Sequence, residues 1–181
     1  MSQKIDLHYI TALFGVVLLS CFFHEFAHWL TGELLGNDMF MSLNRASPVS
    51  GKYIHDWNAN IVTISGPTFT ILQAIVFYFI LDGSKKVYLY PFLFFPFVYR
   101  FFAGLANMFS PNDEGRIGLH LGIGLYTLSI MVSVLLLLLI VRFSLKNNLG
   151  LKFNLLTFLL CSLALLAVVF ADQYFNIRIF G

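Results

Sequence analysis

The chain has 181 residues, of which 59% are hydrophobic and 11% charged, where an ordinary soluble domain carries about 25% charged residues. This composition excludes a disordered chain, a coiled coil and a soluble globular domain, and predicts a single integral-membrane unit over residues 1–181. The net charge of +2, with no basic run or stripe, excludes a nucleic-acid partner.

A helix that crosses a bilayer needs about 20 mainly apolar residues. Five stretches qualify, at about 9–35, 61–81, 87–109, 117–141 and 153–170. In lipid the backbone must satisfy its own hydrogen bonds, so these read as helices, and the alternation of a membrane barrel is absent. The expected fold is therefore all-α: a polytopic bundle of about five transmembrane helices in the lipid bilayer. The first stretch follows Lys4 and has an apolar run like that of a signal peptide. No small-residue cleavage site follows it, so it reads as a retained span. Cys21 and Cys161 lie within apolar runs and form neither a disulfide framework nor a metal motif.

Between the first two stretches lies the longest polar segment, 36–60. Short alternating pieces around Met39 to Leu43 suit a hairpin or re-entrant loop. Turns are expected at Asp82 to Lys86, Ser110 to Gly115 and Lys146 to Gly150. With five spans, Lys4, Lys85, Lys86, Arg142, Lys146 and Lys152 share one side. Arg45, Lys52, Arg116 and Arg178 share the other, and the surplus favours a cytoplasmic N-terminus.

The chemistry concentrates in His24-Glu25-Phe26-Ala27-His28, an HExxH pattern inside the first span. Histidines at i and i+4 lie about 40° apart around a helix, so both imidazoles can face one metal. Glu25 can approach a water at the open metal position, where zinc lowers the water pKa and a carboxylate takes the proton. Ionisable groups inside an apolar helix are costly and usually functional. The bland alternative is a polar cluster satisfied between helices.

A zinc hydrolase needs a third protein ligand. Asp113, at the break between the third and fourth stretches, either turns into the bundle as that ligand or stands in a solvated turn with Ser110, Pro111, Asn112 and Gly115. Arg100, within the third stretch, reads as a partner for a substrate carbonyl or for Glu114, or as an interior ion pair or a snorkelling cation. His120 offers a substitute ligand or an interhelical hydrogen bond, and His55 reads as solvated or interfacial.

Three segments, in order, resemble the site-2 protease family of intramembrane zinc metalloproteases. Residues 22–36 are similar to its HExxH helix. Gly66-Pro67 resembles the glycine-proline turn of its next core helix, although Thr70 stands where the family commonly has an asparagine. Asn107 to Arg116, ending in Asp113-x-Gly115-Arg116, resembles the segment whose aspartate is the third zinc ligand, with Asn112 and Glu114 replacing the family's leucine and glycine. The resemblance covers about residues 10–120 and leaves 121–181 as accessory membrane helices. It implies a zinc endopeptidase acting on a membrane-protein substrate, with His24, His28 and Asp113 as metal ligands and Glu25 as the catalytic base. Glu114 is the alternative ligand, and Gly66, Pro67, Asn107 and Arg100 are the expected substrate-contacting positions. The segment 36–60 is the expected place for an extended substrate to add as a strand. Two other classes stay open: a catalytically silent metal-binding protein that holds a partner, and a metal-ion transporter.

Overall fold

The computed structural model describes residues 4–84, 86–175 and 178–181. Among them the helices are α1 (Leu7–Leu34), α2 (Asp56–Ser84), α3 (Tyr90–Ala106), α4 (Asp113–His120), α5 (Thr127–Lys146) and α6 (Leu151–Phe175). Strands β1 (Met39–Met41) and β2 (Ala46–Pro48) form an antiparallel hairpin after α1. Five segments are long and apolar enough to cross a membrane: α1, α2, α3 with its leading turn (Val87–Ala106), α5 and α6. The chain is a multi-pass integral membrane protein. Leucines such as Leu135, Leu138 and Leu166 are exposed on its outer faces, where lipid replaces a protein core.

The fourth span begins later than its hydropathy suggests. Residues 117–126 are apolar enough to extend a membrane helix, but they form the end of α4 and a turn with Gly122 and Gly124 at positive φ. Gly118 packs against the Gly124 carbonyl so closely that no side chain would fit there. The helix therefore breaks, and α4 and α5 are separate helices. The predicted turn at 82–86 is shorter than expected, because α2 runs through Ser84; Lys85 lies outside the described residues. At this end of the bundle, Lys146 pairs with Asp82 at 2.6 Å.

α1 starts at Asp6, whose Oδ1 accepts the Tyr9 N–H at 2.8 Å. It ends at Gly36, whose φ of +81° suits a residue without a Cβ. There the hairpin folds back onto the helix. Gly32 leaves room for Met39, Glu33 accepts the Met39 N–H at 2.8 Å, and Asn37 bridges the Gly32 carbonyl to the Ile54 N–H. The hairpin is tied to the far end of the chain. Asp172 of α6 accepts from Ser42 Oγ and Leu43 N, and Met41 exchanges backbone hydrogen bonds with Ile179 and Phe180.

Buried polar side chains satisfy groups that proline leaves open inside the bilayer. Pro96 has no N–H for the Phe92 carbonyl one turn earlier in α3. Gln73 of α2 supplies it, donating Nε2–H to Phe92 O at 3.0 Å and to Ser20 Oγ at 2.9 Å. This joins α1, α2 and α3. The main apolar core, with Leu13, Val17, Phe95 and Val98, lies beside it.

Candidate metal centre

His24 and His28 lie one turn apart on α1, on the face covered by α2 and α3, and both are buried. His28 is about 9 Å of helix from the hairpin end of α1, at 1.5 Å per residue. Asp113 reaches them from the first turn of α4. Its Oδ2 is 3.4 Å from His24 Nε2 and 3.4 Å from His28 Nε2, and the two Nε2 atoms are 3.2 Å apart.

The outer nitrogens decide which protons are present. His28 Nδ1 is 2.6 Å from the Val62 carbonyl, which can only accept, so Nδ1 carries the proton. Thr70 Oγ1 donates to the Gly66 carbonyl at 3.0 Å and therefore accepts from His24 Nδ1 at 3.0 Å. In their neutral form both rings turn a bare Nε2 lone pair toward a carboxylate oxygen. Three acceptors with no donor between them repel, and a cation is what this donor set suits. The spacing agrees. Tetrahedral zinc with ligands at about 2.0–2.1 Å sets them about 3.3–3.4 Å apart, and the three separations here are 3.2–3.4 Å.

Asp113 owes its position to the elements around it. The preceding residue, Asn112, caps α4 by accepting the Gly115 N–H at 2.6 Å. The following residue, Glu114, is buried and accepts from Arg100 of α3 at 3.0 Å. The Arg100 guanidinium also lies 3.7 Å from Asp113 Oδ2 and 4.5 Å from the centre of the Tyr99 ring. Glu114 therefore does not enter the cluster; the residues whose ligand atoms converge are His24, His28 and Asp113.

A cavity of about 430 Å³ opens over the three residues, with Glu25, Tyr99 and Arg100 in its wall. Arg100 lines the cavity, and among the described residues its Nε has no hydrogen-bond partner. Gly66, Pro67 and Asn107 are not among the residues that line this cavity. Gly66 backs the imidazoles: a Cβ there would sit 2.5 Å from His24 Cε1 and closer still to His28 Nε2. Pro67 is buried within α2. Asn107 is a brace, accepting the Asn112 N–H at 2.7 Å and donating to Ser129 Oγ at 3.2 Å. Gly115 packs so closely on Asn107 that a side chain would displace it.

His120 is exposed and pairs with Asn60 at 3.3 Å, and His55 stacks on Trp57 at the surface. Sequence reasoning missed Thr70 and Val62 as the groups that orient the imidazoles. Thr70 had one signal: it stands one turn after Gly66 in α2. Val62 acts through its carbonyl, which leaves no trace in the sequence. Tyr53, half-buried beside the cavity, was also missed; burial raises its phenol pKa, with Arg116 nearby opposing the rise. Comparison with known proteins finds no matching family model, no matching curated protein and no matching solved structure.

Proposed function

We propose that the protein is an intramembrane zinc endopeptidase of the site-2 protease type, which hydrolyses peptide bonds of membrane-spanning substrates. The observation that carries this reading is the convergence of His24 Nε2, His28 Nε2 and Asp113 Oδ2 at 3.2–3.4 Å, beside Glu25, in a cavity between membrane helices. A bound zinc ion would supply Lewis-acid chemistry, polarising a carbonyl and acidifying a water.

The other roles belong to the chain. Glu25 takes a proton from the attacking water and returns it to the leaving amine nitrogen. The water oxygen bonds to the carbonyl carbon, the C–N bond breaks, and Glu25 ends as it began. Val62 and Thr70 hold the imidazoles in the tautomer that exposes Nε2. Arg100 offers a cationic donor to a substrate carbonyl.

A substrate helix must unwind before its carbonyls are free to react. The hairpin can hold the extended form. In its register Met41 faces Ala46, and Met41 uses its outward N–H and C=O on Phe180 and Ile179. Ala46 likewise turns its N–H and C=O away from β1, and it borders the cavity, so an added strand can pair there.

The test is Glu25→Gln in purified protein and with a co-expressed single-span substrate. Zinc is retained at one per chain and cleavage is abolished; unchanged cleavage would sink the mechanism. Asp113→Ala loses zinc, whereas Glu114→Ala keeps it, and the opposite result would reassign the third ligand.

A further inference from the structure

The same cavity has a second chemical character at its mouth. Its floor is formed by His24, Glu25 and His28, all buried, whereas Arg45 and Arg116 in its wall are exposed. Arg45 sits at the tip of the hairpin, next to Ala46. Arg116 projects from α4, three residues after Asp113, and its Nε donates to the Pro111 carbonyl at 3.1 Å.

Among the described residues neither guanidinium has a carboxylate within 4.0 Å. Arg178, also without a carboxylate within 4.0 Å among the described residues, places its guanidinium 5.1 Å from the centre of the Phe40 ring, and that of Arg45 lies 5.2 Å from the same centre. Asp172, the carboxylate tied to the hairpin, is committed to Ser42 and Leu43. Like charges without a carboxylate partner on one rim of a concave opening add to a local positive potential at that rim.

Resting on the protease reading, we infer that this site selects substrates with an aspartate or glutamate in the segment flanking the scissile bond at the hairpin-side surface, read by Arg45 and Arg116. A carboxylate is costly within the bilayer core, so a substrate carries it just outside its span, level with this mouth. A strand added at Ala46 passes Arg45 at the next residue. Lipid phosphate is the competing anion. The peptide is favoured because both arginines wall the cavity itself, rather than an outer face of a helix.

The experiment uses three synthetic single-span peptides, identical except for two glutamates, two serines or two lysines just outside the span. Binding is measured to zinc-loaded Glu25→Gln protein in phosphatidylcholine bicelles, and KM and kcat with the active protein. The glutamate peptide binds tightest and the lysine peptide weakest. Each arginine contributes about 1.4- to fivefold, and the differences shrink at about 0.5 M salt. The order appears in KM and leaves kcat nearly unchanged. Arg45→Glu with Arg116→Glu reverses the order, and Arg45→Gln with Arg116→Gln abolishes it, with zinc still at one per chain.

Equal binding of the three peptides would overturn the inference. So would an order that survives both double variants, or one that appears only when phosphatidylglycerol is added. Charge-ordered binding with no cleavage by the active protein would keep the inference and remove the protease reading. Cleavage without charge order would do the reverse.

Discussion

Gly66→Ala tests the metal centre without touching a ligand. The new Cβ would lie 2.5 Å from His24 Cε1 and 2.7 Å from His28 Cε1, where ordinary contact begins near 3.4 Å. The rings must therefore retreat by at least about 0.9 Å, whereas metal–ligand distances tolerate about 0.2 Å. They cannot move freely, because Thr70 and Val62 hold their outer nitrogens. Supporting residues of this kind typically cost 10–100-fold in metal affinity, about 1.4–2.7 kcal/mol. The assay is competition for zinc against a chromophoric chelator, on purified protein in detergent. Overpacking alone costs about 1–3 kcal/mol of stability, so the apoprotein melt is recorded alongside. Gly15→Ala is the control, since nothing lies within 4 Å of a Cβ there, and it leaves zinc affinity unchanged. Zinc binding to Gly66→Ala within twofold of wild type would refute the argument that this glycine makes room for the imidazoles.

Three further outcomes follow from the packing around the centre. Arg100→Met leaves Glu114 as a buried uncompensated charge and destabilises by about 3–5 kcal/mol, whereas Glu114→Met costs less because Asp113 stays 3.7 Å from the guanidinium; the double replacement costs less than the sum, and additive losses in unfolding assays would exclude the coupling. Asn107→Ala frees the loop before α4 and costs about 1–3 kcal/mol. It also weakens zinc binding, although Asn107 touches no ligand, and an unaltered zinc affinity would remove its bracing role. Gln73→Leu leaves the Phe92 carbonyl open within the bundle and lowers stability by about 1 kcal/mol while zinc binding is unchanged; a melting temperature equal to wild type would show that the carbonyl finds another partner.

Hydropathy located the spans because lipid penalises charge and open backbone at every position along a helix. It misjudged residues 117–126 because apolar side chains do not report backbone geometry. Gly122 and Gly124 end that helix through positive φ, and Gly118 seats the turn against it. The HExxH histidines were legible because a helix sets i and i+4 on one face. The roles expected of Gly66 and Asn107 were less legible. A glycine that clears space and an amide that braces a loop look, in one dimension, like groups that meet a substrate.

By itself, then, the sequence determined that this chain lives in a membrane as a helical bundle, and that two histidines and a glutamate share one face of its first helix. Both follow from local rules: transfer of side chains into lipid and the 3.6-residue turn. Only the tertiary structure decided which carboxylate meets the histidines. Asp113 and Glu114 are neighbours in sequence with similar chemistry. The first turn of α4 directs them to different partners, so Glu114 is held by Arg100 of α3 while Asp113 faces α1. That choice depends on how three helices pack, and no spacing along the chain encodes it.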